Sequence, residues 1–316
     1  MSAFWIMLRN VLVFVSLAIP GFLLVKTKKL NASGSAALSA LLTYVGMPFL
    51  VLSGTLKISF TGEFIKKLLI AIVLCAAFIF LLFFLSMLLC KGEPERKKRG
   101  MMQFCTIFSN TGFLGIPLAS AVFGADSTEL TYAIIFNIIT NVFMFTLGVY
   151  LISGDKKTIQ VKKVLLSPVL LGFIAGIILN LIKIGDYVPE VVTFSNHFSN
   201  VVTPLSMTVI GIKLGGISFK AMFTNLKTYY VSSLKLIVMP VLVLAIALLL
   251  NYTVKIGSDM VMGVLIAFAT PTAGLASTFS DQHDGDTEGA VSYTLGSTIF
   301  SVLTISLLYW ILCMII

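Results

Sequence analysis

Two stretches of the chain place helix-breaking residues beside hydrogen-bonding side chains. Residues 108–120 read FSNTGFLGIPLAS, and residues 268–280 read FATPTAGLASTFS. Their breakers and polar side chains are Asn110, Thr111, Gly112, Gly115 and Pro117 in the first stretch, and Thr270, Pro271, Thr272 and Gly274 in the second. Proline lacks the helical N–H and glycine weakens a helix, so we expect an interruption in each stretch. Interrupted helices have free N–H groups, which bind carboxylates, and free carbonyl groups, which bind cations or hydroxyls.

The composition around these stretches indicates a membrane protein. Hydrophobic residues make up 58% of the chain and charged residues 11%, and the mean hydropathy is +1.04. A soluble protein of 316 residues cannot bury that much apolar surface, so the solvent is lipid. The net charge of +9 would also suit nucleic acid, but the basic residues flank apolar runs, as they do in membrane proteins. We expect no nucleic-acid partner, no metal site and no cofactor.

Ten apolar runs are long enough to be transmembrane helices, which need roughly 20 residues each. In chain order, runs 1 to 10 are residues 4–25, 37–55, 64–90, 100–123, 130–152, 164–182, 198–217, 227–252, 259–280 and 289–316. The sequence therefore predicts an all-α polytopic membrane protein with ten transmembrane helices. The two breaker stretches lie in runs 4 and 9. One such stretch alone is better explained by a proline kink, whereas a matching pair is typical of a transporter's binding site.

The distribution of basic residues predicts the orientation. Fourteen of the 22 basic residues lie in or beside the loops that follow runs 1, 3, 5, 7 and 9, and six lie towards the opposite face. By the positive-inside rule the first face is cytoplasmic. We therefore expect a multi-pass protein of the plasma (cytoplasmic, inner) membrane with both termini outside.

The two halves of the chain repeat. At a shift of 160 residues, Phe108 aligns with Phe268 and Asn110 with Thr270. Residues 1–152 and 164–316 are therefore predicted to be two copies of one five-helix unit, joined by a cytoplasmic linker at residues 153–163. An odd number of helices per unit makes the copies insert with opposite orientations, which is a carrier architecture.

The two motifs resemble those of the auxin efflux carrier family. The matching residues are Asn110-Thr111-Gly112 and Gly115-Ile116-Pro117-Leu118 in run 4, and Pro271-Thr272-Ala273 in run 9. That family includes plant auxin exporters and bacterial permeases for malate, malonate and related organic acids. The short linker resembles that of the bacterial members, whereas Leu275 stands where many of them have asparagine.

The resemblance implies a fold similar to that of sodium/proton antiporters. Helices 1, 2, 6 and 7 would then form a scaffold. Helices 3–5 and 8–10 would form a transport domain, in which the broken helices 4 and 9 cross. A homodimer is one assembly that the resemblance implies.

We predict a substrate site at the two interruptions. Asn110, Thr111, Thr270 and Thr272 are expected to line it, and Gly112, Gly115 and Gly274 to allow close approach to the backbone broken at Pro117 and Pro271. Asn137 and Asn141 share one helical face; they either contact substrate or bond helix 5 to helix 4.

Two lysines lie within the apolar runs. Lys235, inside run 8, either attracts entering anions or pairs with helix carbonyls. Lys213, about a turn from the end of run 7, is expected to extend its amine to the membrane surface.

These residues favour a secondary transporter that moves a small organic anion, a carboxylate, by alternating access in an elevator-like manner. All 13 acidic residues fall in loops or at the ends of runs, which argues against a proton antiporter. A channel-like anion pore, or an ion-coupled transporter of another substrate on the same fold, is the alternative. An enzyme is not expected, because no acid/base motif is present. The anion's identity, the direction of transport, the coupling ion and the oligomeric state stay open.

Overall fold

The structure is a computed structural model that describes residues 3–31, 34–56, 58, 61–124, 126–159, 166–216 and 225–316. Its regular secondary structure over these residues is helical, apart from one isolated bridge between Ser109 and Thr272. Residues 160–163 of the predicted linker, residues 164–165 at the start of run 6 and residue 217 at the end of run 7 lie outside the described residues.

The helices of the first half account for runs 1 to 5. They are α1 (Ala3–Ser16), α2 (Ile19–Lys26), α3 (Ser35–Thr55), α4 (Gly62–Leu89), α5 (Arg96–Ile107), α6 (Thr111–Phe123) and α7 (Thr128–Ser153). A short 3₁₀ turn, Lys156–Thr158, follows.

The helices of the second half account for runs 6 to 10. They are α8 (Pro168–Leu181), α9 (Ile184–Tyr187), α10 (Pro189–Gly215), α11 (Leu226–Val254), α12 (Ser258–Ala269), α13 (Ala276–Gln282) and α14 (Thr287–Ile315).

Five of the described helices are long and apolar enough to cross a membrane unaided. These are α3, α4, α7, α11 and α14, with 21 to 29 residues each. Runs 1, 4 and 9 are each divided between two shorter helices, so the described residues do not form ten uninterrupted spans. Runs 4 and 9 contain the predicted breakers, whereas the division of run 1 at Leu17 and Ala18 is not predicted by the sequence. The architecture is that of an all-helical polytopic membrane protein.

Polar side chains fix where several helices begin. Each accepts a hydrogen bond from the backbone N–H two or three residues further on, which satisfies a donor that the helix leaves free. The capping residues are Thr61 for α4, Ser127 for α7, Ser167 for α8, Asn225 for α11 and Asp286 for α14.

Wide π-helical turns allow three prolines to sit inside continuous helices. Such turns at Leu42–Gly46, Thr111–Gly115 and Leu234–Val238 directly precede Pro48, Pro117 and Pro240, each one residue into the α-helix that follows. A π turn shifts the hydrogen-bond register by one residue, so the missing proline N–H and its ring are accommodated without breaking the helix.

Pro117 is therefore not where run 4 is interrupted, contrary to the prediction. The interruption lies earlier, at 108–110, where Phe108 adopts extended backbone angles.

The helices pack in two groups. In one, α2 packs on α10, and α3 packs on both α8 and α10. In the other, α7 packs on α4 and α12, and α11 packs on α12 and α14. The first group contains α2 of run 1 with helices of runs 2, 6 and 7, and the second contains helices of runs 3–5 and 8–10. The other helix of run 1, α1, packs on α14 of the second group.

The contact between α2 and α10 depends on two glycines. A Cβ atom added to Gly211 would lie 1.9 Å from the Ala18 carbonyl oxygen, and one added to Gly21 would lie 2.1 Å from the Thr208 carbonyl oxygen. Small residues allow such close backbone contact, which drives helix association in lipid.

Replacing Gly211 by alanine tests this contact. We expect Gly211→Ala to lower the melting temperature of the detergent-purified protein, because the added methyl group forces two backbones apart at a cost of about 1–3 kcal/mol. Gly92→Ala is the control, since a Cβ at Gly92 meets nothing within 4 Å. Equal melting temperatures for the two variants would contradict the close packing of α2 on α10.

Candidate functional site

The interruptions of runs 4 and 9 pair with each other through their backbones. The Asn110 N–H donates to the Pro271 carbonyl at 2.7 Å, and the Ala273 N–H donates to the Phe108 carbonyl at 2.9 Å. These bonds form the antiparallel bridge between Ser109 and Thr272. We call residues 108–110 and 270–273 the junction. Unpaired backbone groups are costly in lipid, so each interruption provides the partners that the other needs.

Two threonines hold the helix ends together at the junction. The Thr111 hydroxyl donates to the Ala267 carbonyl at 2.9 Å, and the Thr272 hydroxyl donates to the Cys105 carbonyl at 2.8 Å. Each bond therefore runs from one interrupted run to the last turn of the other run's first helix. The Thr272 N–H donates in addition to the Ser297 hydroxyl at 3.1 Å. Thr111 and Thr272 are fully buried and serve as backbone partners in the structure.

The side-chain amine of Lys235, in α11, contacts the junction. Its ammonium donates to the Ile107 and Phe268 carbonyls at 3.3 and 3.5 Å, and to the Ser109 hydroxyl. The side chain is fully buried. Of the two roles considered for Lys235, the pairing with helix carbonyls is observed, and anion attraction stays a prediction.

A central cavity of about 870 Å³ lies between the two groups of helices. Its lining includes Ser35 at the start of α3, Ser167 just before α8, Lys213 near the end of α10 and Gln282 at the end of α13. The cavity thus extends from the junction towards the face at which these four helices meet their loops. A smaller cavity of about 260 Å³ shares several of its lining residues with it.

The predicted site residues divide into two sets. The central cavity is lined by Asn110, Gly112, Asn137, Asn141 and Gly274. Other predicted residues are buried in and around the junction, namely Thr111, Gly115, Pro117, Thr270, Pro271 and Thr272. A Cβ atom at Gly115 would lie 3.2 Å from the Ile266 carbonyl oxygen, so this glycine allows α6 to approach α12. Substrate contact by any of these residues stays a prediction.

Asn137 presents a donor without a partner at the wall of the cavity. Its side chain is 3% exposed, and its Nδ2 atom has no hydrogen-bond partner among the described residues. It faces Gly112 closely enough that a Cβ atom there would lie 3.5 Å from the Asn137 Oδ1 atom. Buried polar groups are almost always paired, so an unpaired donor beside a cavity points to a ligand acceptor.

Lys213 is a charged lining residue that the sequence interpretation did not place at the site. Its side chain is half-buried and lines both cavities, and the extension of its amine to the membrane surface stays a prediction. Val209, Ile210 and Gly216 line the smaller cavity with it. The spacing of one and two helical turns along run 7 is the signal that could have found this face.

Comparisons with known proteins identify the family. Residues 6–164 match the model of a membrane transport protein family. The chain belongs to this family. The predicted resemblance to the auxin efflux carriers is thereby confirmed. Residues 205–316 match the sodium bile acid symporter family.

Two archaeal transporters are similar to the chain over most of its length. An uncharacterized transporter of Methanothermobacter thermautotrophicus is 26% identical over 304 residues, covering 95% of this chain and 96% of the relative. An uncharacterized transporter of Methanocaldococcus jannaschii is 26% identical over 282 residues, covering 87% and 89%. The chain is therefore a membrane transporter by family.

The unpaired donor of Asn137 leads to a prediction about stability. We expect Asn137→Leu to leave the melting temperature of the ligand-free protein unchanged or raised, because removing an unpaired buried amide loses no hydrogen bond. Asn180→Leu is the matched control, since Asn180 Nδ2 donates to the Thr55 and Ile58 carbonyls at 2.7 and 2.8 Å. That variant should lose roughly 1–3 kcal/mol. Similar destabilisation by both changes would instead favour Asn137 as a link between helices.

Proposed function

We propose that this chain is a secondary transporter of a small organic anion, whose carboxylate binds in the central cavity against the junction. The observation that carries the proposal is the charge of the lining. Among the described residues that line the two cavities, Lys213 is the one with a charged side chain, and none is an aspartate or a glutamate. Its ammonium has no hydrogen-bond acceptor or acid partner among the described residues, so an anion entering the cavity supplies its counter-charge.

Neutral donors around the cavity suit the same guest. Asn110 precedes the first residue of α6, and its side chain makes no capping bond to that helix. Gly112 and Phe113, in the first turn of α6, also line the cavity. The first N–H groups of a helix have no partner within it and carry partial positive charge. Together with the free amide of Asn137, they can hold carboxylate oxygens that Lys213 attracts.

The packing supports alternating access by relative movement of the two helix groups. The hydrogen bonds of Asn180 to the Thr55 and Ile58 carbonyls lie inside the first group, and those of Thr111 and Thr272 lie inside the second. Where the groups meet, apolar residues such as Val51 of α3 and Ile134 of α7 belong to one buried cluster. Apolar contacts are not directional, so such an interface can slide. The first group would be the scaffold and the second the moving transport domain.

The basic loops give the proposed orientation. The central cavity extends towards the ends of helices that join the loops after runs 1, 5, 7 and 9, which the positive-inside rule assigns to the cytoplasm. We therefore assign this conformation to an inward-facing state in the cell's cytoplasmic membrane.

Sodium-coupled transport is a second candidate, favoured by the match of residues 205–316 to the sodium bile acid symporter family. Acids within the described transmembrane helices lie at helix ends, as Glu63, Glu129 and Asp259 do. A sodium site inside this protein would therefore consist of carbonyl, hydroxyl and amide oxygens.

Counterflow into proteoliposomes tests the transport proposal. Vesicles loaded with an unlabelled carboxylate should accumulate the labelled compound transiently and with saturable kinetics, because a carrier exchanges one substrate molecule per conformational cycle. A set of mono- and dicarboxylates, first ranked by thermal shift of the purified protein, supplies the probes. Protein-free vesicles are the control. A large conductance without counterflow would indicate the channel-like pore instead.

Lys213 should determine carboxylate affinity. We expect Lys213→Gln to weaken binding of the best carboxylate by roughly 10–100-fold, because a charge-assisted hydrogen bond contributes about 1.5–3 kcal/mol. Lys213→Arg should restore much of the affinity. Lys66→Gln is the control, since Lys66 is exposed at the start of α4. Unchanged affinity in Lys213→Gln, measured by thermal shift or by equilibrium binding, would remove this cation from the site.

A further inference from the structure

Lys235 is a buried cation that the proposed binding of substrate does not use. It lies in the π-helical turn Leu234–Val238 of α11 and is the tenth residue of that helix, and its exposed fraction is 0%. A lysine at such depth in a membrane helix is rare, and it usually marks a functional position.

The ammonium of Lys235 lies where two helices end. Ile107 is the last residue of α5, and Phe268 is in the last turn of α12. Both carbonyls accept from the Lys235 amine, and the Ser109 hydroxyl completes a set of three oxygen partners for its three N–H donors. The last carbonyls of a helix lack partners within it and carry partial negative charge. Two negative helix ends and a hydroxyl thus converge on one positive group.

This set of oxygens is the kind that binds a small monovalent cation. In transporters with interrupted helices, carbonyls from helix C-terminal ends and unwound backbone commonly coordinate such ions. The ammonium instead supplies the positive charge covalently. Acids cannot compete for it at this depth. The turn that carries Lys235 contacts α5, α12 and α14, and the acids of these helices, Asp259 in α12 and Glu288 in α14, lie in first turns.

We propose that Lys235 is a tethered cation that takes the place of a dissolved coupling ion, so that this chain binds its substrate without sodium. The conclusion that substrate binds without sodium rests on the proposed anion transport. The replacement of the ion by the lysine is a property of the junction alone, and it can be measured without any carboxylate.

Sodium-dependent melting of the purified protein tests the inference. The wild-type protein should melt at the same temperature in sodium chloride and in choline chloride of equal ionic strength. Lys235→Ala removes the ammonium and leaves space beside the same oxygens. We expect this variant to bind sodium, with a rise in melting temperature of about 2–4 °C when sodium exceeds its dissociation constant tenfold.

Two controls separate ion replacement from a general loss of charge. Lys235→Met removes the charge but fills the space, so it should not respond to sodium. Lys213→Ala removes a cation from the cavity and not from the helix ends, so it also should not respond. Binding of radioactive sodium to Lys235→Ala, at about one ion per chain, provides a second readout.

Some outcomes would overturn the inference. Sodium-dependent melting of the wild-type protein would do so, as would a folded Lys235→Ala protein that neither binds sodium nor is stabilised by it. If that variant does not fold, the wild-type comparison still decides, and carboxylate affinity of the wild type that increases with sodium would count against the proposal. A sodium response confined to Lys235→Ala, combined with a failure of every carboxylate to bind, would sustain this inference and contradict the proposed function.

Discussion

The structure depends on one constraint, which is that a backbone interrupted inside lipid must find new hydrogen-bond partners. The two interruptions meet this need by pairing with each other through the Asn110 and Ala273 N–H groups. Thr111 and Thr272 extend the pairing to carbonyls near the ends of α12 and α5. Neither interruption would be tolerable alone, because each N–H or carbonyl group left without a hydrogen bond in hydrocarbon costs on the order of several kcal/mol. The junction is therefore a single unit formed from two distant parts of the chain.

The junction has two chemically different sides. On one side the carbonyl ends of α5 and α12 face the buried amine of Lys235. On the other side the first turn of α6 faces the central cavity, with Asn110 and Gly112 in its lining. The difference follows from chain direction, because every interruption produces one C-terminal and one N-terminal helix end with opposite partial charges. The first side holds the amine of Lys235, and the second is where we propose that the anion binds.

Much of this arrangement could be predicted from the sequence, for physical reasons that differ between residues. Pro271 and its neighbours interrupt run 9 where predicted, since Thr270 follows α12 directly and no π turn precedes this proline. Pro117 was misleading, because the π turn at Thr111–Gly115 absorbs it and the interruption forms at 108–110 instead. Helix propensity identifies a stretch in which a helix is weak, but the hydrogen-bond partners available in the fold determine at which residue the helix is interrupted.

Side-chain roles were harder to predict than helices. The threonines at the interruptions were expected to line the site, yet Thr111 and Thr272 bond to carbonyls of the partner run. Lys213 was not expected at the cavity, which it lines where α10 packs against α3. Both differences depend on contacts between residues far apart in the chain, which spacing within one run does not contain. The asparagines Asn110 and Asn137 do lie at the cavity, as their position in two neighbouring runs suggested.

The covalent attachment of Lys235 to α11 has an electrical consequence. If α11 travels with the junction during transport, a loaded carrier moves one positive and one negative charge together when the substrate is monovalent, whereas an empty carrier moves the positive charge alone. Each elementary charge that crosses a voltage of 100 mV changes in free energy by about 2.3 kcal/mol. An inside-negative voltage would then leave the loaded step almost unaffected and draw the empty site back to the cytoplasmic side, which drives net efflux of anions without any ion gradient.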